Sequence, residues 1–247
     1  MNKFYDQKTV IITGGSRGIG GETSKIFAQN NCNVVINYLS DDVTAEKLKE
    51  EIISKYDVEV MTIKCDISSE NDVIKMIDDI KARFGSIDYL INNAGISIDS
   101  TLEDKTVENF KRIIDVNLIG TFLMCKYVGE VMMSQGFGSI VNISSTNAID
   151  SYYPYSMDYD ASKSGVISLT HNFAVSYAPN IRVNCVCPGW VNTDALKEMD
   201  EEQINEECKH ILLGRFANPK EIAESIYFAA NASYLNDSIL KTDGGRC

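Results

Sequence analysis

The sequence predicts an α/β fold: a doubly wound parallel sheet with helices on both faces. Short β-branched runs recur along the chain, and longer amphipathic segments separate them. A glycine-dense turn also leads directly from the first run into the first amphipathic segment, as in a strand-helix-strand unit. With 247 residues and no repeat, linker or low-complexity tract, the chain is expected to form one domain over 1–247.

The runs "KTVIIT" (8–13), "NVVIN" (33–37), "EVMTIK" (59–64), "DYLIN" (88–92), "SIVNIS" (139–144), "RVNCVC" (182–187) and "SILKT" (238–242) read as buried strands. Between them, "SDDVTAEKLKEEIISKY" places acidic residues in a first helical turn, and "SSENDVIKMIDDIKARFG" closes a helix on Gly85. The segments 106–135 and 158–178 read as long helices, apolar on more than one face, as expected if one face meets the sheet and another a partner subunit. "NTDALKEMDEEQINEECKH" (192–210) breaks the alternation and is polar and acidic, so 190–213 is either a substrate lid or a solvated helix.

Composition narrows the partners. A net charge of −12 disfavours nucleic acid and anionic membranes. The polar opening "MNKFYDQK" fits neither a signal peptide nor an anchor, so a cytoplasmic protein is expected. Seven cysteines with no CxxC pair, and only two histidines, read as reduced thiols with no metal site. Cys185 and Cys187 alternate onto one face of a strand.

"VIITGGSRGIGGETSKIF" passes from strand through turn to helix with TGxxxGxG spacing, in which Thr13, Gly14, Gly18 and Gly20 enclose Ser16, Arg17 and Ile19. Such a turn lets backbone approach a pyrophosphate, and the helix start favours the anion; a purely structural turn is the alternative. The second strand ends on Asn37 and Tyr38, where an NAD site usually carries an acid for the ribose. Arg17 offers a guanidinium to a 2′-phosphate, which favours NADP (NADPH) over NAD, although Asp41 and Asp42 follow closely enough to face the ribose.

With "TGGSRGIG", "NNAG" (92–95), "VNLIGTF" (116–122), "IVNISS" (140–145), "YDASK" (159–163), "NCVCPGWVNT" (184–193) and a terminal "DGG" (243–245) in one order, the chain resembles the short-chain dehydrogenase/reductases. The resemblance covers nearly the whole sequence. It implies a seven-stranded Rossmann domain, a homotetramer or homodimer, and a catalytic set at Asn117, Ser145, Tyr159 and Lys163. By the same match, Asp66 and Ile67 would meet adenine, Asn93, Ala94 and Gly95 after Asn92 would line the cofactor, and Pro188, Gly189, Val191 and Thr193 would cover it. Capping of the next helix is an equal reading of Asp66. Lys163, with Tyr159, would hold the nicotinamide ribose, and Asn117 a water relaying protons to the lysine. His171 and His210 match no catalytic position.

Tyr159 and Lys163, four residues apart on a helix, share a face, whereas Tyr152, Tyr153 and Tyr155 precede the helix as pocket wall or loop packing. Alternation puts Ser144 and Thr146 on one side and Ser145 on the other. Lowering a phenol's pKa from about 10 to about 7 needs roughly 4 kcal/mol, which an ammonium about 4 Å away supplies only at an effective dielectric of about 20. Lys163 is therefore expected to act in a desolvated pocket, helped by oxidised nicotinamide.

For substrate, the closest resemblance is to 3-oxoacyl thioester reductases. "MMSQGFGS" (132–139) and "YAPN" (177–180) offer no basic residue, which argues against docking of acyl carrier protein. Tyr152, Tyr153, Tyr155 and Trp190 suit the rings of a hydroxysteroid or a sugar or polyol instead. A non-catalytic NADP(H)-sensing regulator is the reading from another class.

Overall fold

In the computed structural model, residues 7–246 are described except 151, 195, 197 and 198. The start of the chain, three positions of the expected lid and Cys247 thus lie outside the described residues. The β-branched runs become β1 (Thr9–Ile12), β2 (Asn33–Tyr38), β3 (Val60–Lys64), β4 (Tyr89–Asn92), β5 (Gly138–Ile143), β6 (Ile181–Pro188) and β7 (Ile239–Thr242). All pair in parallel, in the order β3-β2-β1-β4-β5-β6-β7.

Strand alternation divides the core between two layers. Val10, Ile12, Val34 and Ile36 face one way with Phe27 and Ile226, while Ile11, Val35 and Leu90 face the other with Met76 and Met124. Because both faces are covered, β1 and β4 are buried along their whole length, which is why their sequences run apolar without a polar side. The first layer is built by α1 (Gly18–Gln29), α2 (Asp42–Lys55) and α8 (Pro219–Asn231), and the second by α3 (Glu70–Phe84), α5 (Gly120–Gln135) and α6 (Met157–Tyr177).

The expected helix over 106–135 is continuous but not uniform. α4 (Val107–Ile114) passes through a π-helical turn, Asp115–Ile119, into α5. Gly120 follows the turn, and a Cβ there would lie 2.8 Å from Ile67 Cγ1, so the helix can press onto the loop after β3. The stretch Val107–Gln135 is long and apolar enough to cross a membrane, but 56% of its most apolar window is buried within the protein.

In the 190–213 segment, α7 (Glu201–Lys209) has no buried residue, and a capping box between Asp200 and Gln203 starts it. It is tethered by Glu207, which accepts from Trp190 Nε1 at 2.8 Å and pairs with Arg246 at 3.0 Å. The strand order reverses between β1 and β4, so the carboxyl ends of these strands open a crevice where the connections diverge.

Candidate active site

Directly after β1 comes Thr13, a fully buried side chain whose Oγ1 accepts from the N–H groups of Asn93 and Ala94, each at 3.0 Å. Asn93 returns Nδ2 donations to the carbonyls of Thr13 and Gly14 at 3.0 and 3.1 Å. These bonds lock the glycine turn to the end of β4. Gly14 has φ +59°, open to glycine at little cost, and a Cβ on Gly20 would fall 2.2 Å from the Gly14 carbonyl oxygen. Only a chain without side chains there can start α1 so close to the turn.

Above the turn lies a cleft of about 630 Å³. Gly14, Ser16, Arg17, Gly18, Asn37, Tyr38, Asp66, Ile67, Asn93, Ala94, Gly95 and Thr193 line it. Leu39, Ser40, Asp41, Cys65, Ile96, Arg112, Val116 and Asp194 complete the wall. Apart from Asp41, the sequence reading had not singled out these eight. Arg112 and Val116 carried a readable signal, one helical turn apart and leading into Asn117. Ile19 instead packs on the core, and Val191 buries its side chain there while bridging to Ala217. Gly189 lies against Asp243, at the end of β6 beyond Pro188.

At the β2 end, Asn37 is buried and internally bonded: Nδ2 donates to the Cys65 carbonyl at 3.1 Å and Oδ1 accepts from Gly14 N–H at 3.4 Å. Both oxygens of Asp41 are engaged by Thr44, whose N–H and hydroxyl lie at 3.0 and 2.7 Å and hold its carboxyl below the usual carboxylate range. Asp41 thereby caps α2. Asp66 accepts from the N–H and hydroxyl of Ser68 at 2.9 and 2.6 Å, and Ser69 caps α3. The capping reading of Asp66 is thus replaced by an Asx turn one step earlier. Arg17 stands exposed at the cleft wall.

Asn117 occupies the π-helical turn. Its Oδ1 accepts from Ile96 N–H at 2.8 Å, and Nδ2 donates to the Ile96 carbonyl at 2.9 Å and to Ser162 Oγ at 3.0 Å. Strand alternation at the end of β5 sends Ser144 to the Lys163 carbonyl at 2.8 Å, while Ser145 is hydrogen-bonded with the Tyr159 phenol. Lys163 lies under Tyr159, with Nζ 5.5 Å from the ring centroid and donating to the Ile143 carbonyl at 2.8 Å. A Cβ on Gly95 would lie 3.2 Å from that Nζ, which places the ammonium against the cleft wall.

Both groups lie in the desolvated surroundings expected of them, and burial dominates their electrostatics. Burial holds the Tyr159 phenol up at about 12, only partly offset by the bond to Ser145, and the same burial pulls Lys163 down to about 8. Desolvation penalises phenolate and ammonium alike, and it is the largest cause of both shifts. Lys163 by itself therefore does not make Tyr159 acidic.

Outside the cleft, Tyr153 and Tyr155 pack rings 5.4 Å apart, and Trp190 stacks on Phe216 at 5.5 Å. Tyr152 is almost fully exposed. His171 pairs with Asp237 at the surface. Cys32, Cys65, Cys125, Cys185 and Cys187 are buried free thiols, and the last two have sulfurs 3.8 Å apart. Among the described residues no cluster of His, Cys, Asp and Glu is placed to hold a metal ion.

A glycine cradle at a helix start and a cleft whose Gly95 wall lies against Lys163, which is packed under Tyr159, fit a nicotinamide dinucleotide. A family model described as Enoyl-(Acyl carrier protein) reductase matches residues 14–246, and the chain belongs to the short-chain dehydrogenase/reductase family. It is 36% identical over 239 residues to carbonyl reductase family member 4 of Xenopus laevis, covering 96% of this chain and 97% of that protein. It is 34% identical over 248 residues to 3-oxoacyl-(acyl-carrier-protein) reductase FabG of Chlamydia muridarum, covering 99% of each. The crystal structure of levodione reductase superposes with a TM-score of 0.91 at 31% identity, covering 96% of each chain. The protein is an NAD(P)-dependent oxidoreductase that interconverts carbonyl and alcohol groups.

Proposed function

We propose that the chain is an NADP(H)-dependent reductase of 3-oxoacyl thioesters, with Tyr159 as proton donor, Ser145 holding the carbonyl oxygen, Lys163 on the nicotinamide ribose and Asn117 as the fourth member. The observation that carries this reading is the convergence of Ser145, Tyr159 and Lys163 at the Gly95 end of the cleft. The bound dinucleotide would exchange hydride with the substrate carbon. At neutral pH, Tyr159 keeps its proton and Lys163 its charge, the pair of states that reduction requires. The Ser145 hydroxyl can then orient the carbonyl oxygen while the phenol protonates it.

Reduction is therefore expected to run evenly from about pH 6 to the region of Lys163's pKa of about 8, and to decline above it as the ammonium is lost. Alcohol oxidation, which needs the phenolate, should rise well beyond that point because Tyr159 titrates near 12. Initial rates in both directions across pH check this. A reductive profile still climbing above pH 9 would contradict it.

NADP is the supported cofactor because Asp41 is already engaged by Thr44, while Arg17 stands at the wall of the cleft. Arg17→Ala is expected to weaken NADPH binding by about 10- to 100-fold, the loss of a charge-assisted hydrogen bond, and to leave NADH binding nearly unchanged. Titration of nucleotide fluorescence reads both constants.

Cyclic ketones form the second reading, favoured by the Tyr153–Tyr155 and Trp190–Phe216 ring pairs. NADPH oxidation with a short 3-oxoacyl-CoA, run beside a panel of cyclic ketones, separates the two. Silence on both despite tight NADPH binding would favour a sensor. Exposed Ile119, Phe122 and Val175 on the α5–α6 side support assembly as a homotetramer or homodimer. A cytoplasmic location and a substrate-covering role for 190–213 complete the proposal, with acyl carrier protein outside it.

A further inference from the structure

Lys105, in the connection between β4 and α4, has a side chain only 5% exposed. An ammonium has three N–H donors, and all three are used: on the carbonyl of Ile98 at 3.0 Å, the carbonyl of Tyr155 at 2.9 Å, and Asp158 Oδ1 at 3.0 Å. These acceptors belong to the loop after β4, the tyrosine-rich segment, and the first turn of α6. Asp158 is fully buried, and its Oδ1 also accepts the N–H of Tyr159 at 3.0 Å. The Tyr155 carbonyl takes a second bond from Ser100 N–H at 3.1 Å, which joins the two loops directly.

The helix start gives this arrangement something to do. Ser156, at the N-cap of α6, makes no side-chain capping bond, so the first turn takes its position from tertiary contacts. Two carboxylates in that turn supply them. Asp158 reaches the β4 loop through Lys105, and Asp160 holds the tyrosine segment through Asn147 Nδ2 at 2.8 Å, Ser156 Oγ at 3.2 Å and Tyr153 N–H at 3.3 Å. Tyr159 lies between them. A buried ion pair is a poor source of stability compared with apolar packing, but it is directional, and here it ties together three separate segments.

We propose that Lys105 and Asp158 are positioning residues, a clamp that registers the first turn of α6, and with it Tyr159, against the loop after β4 and the tyrosine-rich segment. The clamp rests on the reading of Tyr159 as proton donor. Its removal acts on the chemical step: a displacement of about 1 Å at a reacting group costs about 100-fold in rate.

The test compares Asp158→Asn, which preserves an oxygen for Lys105 and Tyr159 N–H, with Lys105→Met and the apolar pair Lys105→Met/Asp158→Leu. The double variant leaves no buried charge alone and provides a folded protein where the single lysine variant fails to fold. Measured are kcat and KM on whichever carbonyl compound the panel shows to be turned over, the NADPH Kd, and hydrogen exchange by mass spectrometry. The double variant is expected to bind NADPH within about twofold of wild type, to lose kcat by about 10- to 100-fold, and to exchange faster in 97–105 and 147–158 but not in 9–29. Asp158→Asn, which keeps an oxygen for both donors but removes the counter-charge of Lys105, should lose less kcat than the double variant. A double variant with wild-type kcat, or one whose NADPH affinity falls in step with kcat, overturns the clamp. If Tyr159→Phe itself kept its turnover, the proposed function would fail, and loop exchange would still report whether Lys105 ties the three segments.

Discussion

Tyr159→Phe is expected to lower kcat by about 100- to 10,000-fold while leaving the NADPH Kd within about twofold of wild type. The substitution removes one oxygen. The ring still fills the space over Lys163, whose Nζ sits 5.5 Å from the ring centroid and keeps its bond to the Ile143 carbonyl. The glycine turn, Thr13 and Asn93 are untouched, so the end of the cleft proposed to hold the pyrophosphate remains as it was. What disappears is the phenolic proton proposed to pass to the carbonyl oxygen, while the Ser145 hydroxyl remains. Single-turnover NADPH oxidation beside a nucleotide titration checks the split. Equal losses of binding and turnover would assign Tyr159 to holding the cofactor rather than to proton transfer.

The second large effect is on stability. Lys163 has a folded pKa of about 8 against an ordinary value of 10.5, because burial disfavours the ammonium. Between those two values the unfolded chain binds more protons than the native one, so stability rises with pH across that window. The gain is on the order of 3 kcal/mol when complete. Lys163→Met should lack this rise. Buried thiols work the other way: Cys32 at about 11, and Cys65 and Cys125 at about 12, keep their protons after the unfolded chain has lost them, so stability falls above about pH 9. That fall is common to both proteins. The difference between their urea-unfolding curves, taken from pH 7 to 10, isolates the lysine, and a difference that does not change with pH would show that Lys163 is solvated in the folded protein.

Much of the nucleotide end was legible because it is local. Gly14 and Gly20 announce a close backbone approach over a few residues, and strand burial announces itself as period-two or continuous apolar runs. The Tyr159–Lys163 pair came from the family resemblance, and helical spacing brings the two to one face. Alternation likewise separated Ser145 from Ser144, which bonds the Lys163 carbonyl instead. Other features depended on distant segments. Lys105 and Asp158 have no periodic relation, and only the docking of the β4 loop against α6 makes them a pair. Asp41 was close enough in sequence to face a ribose, and only the structure shows Thr44 engaging both of its oxygens as the cap of α2.

The sequence by itself determined the alternation that makes a parallel α/β sheet, the glycine turn after β1 and the motifs whose resemblance to the family implies a reacting group. The tertiary structure alone decided their electrostatics. Arithmetic on an isolated ammonium and phenol has Lys163 drawing Tyr159 down, whereas the folded site holds the phenol up at about 12 and the lysine down at about 8. The physical reason is that attraction between two groups depends on their spacing, which a helix dictates locally, while desolvation depends on everything packed around them, which only the complete fold provides.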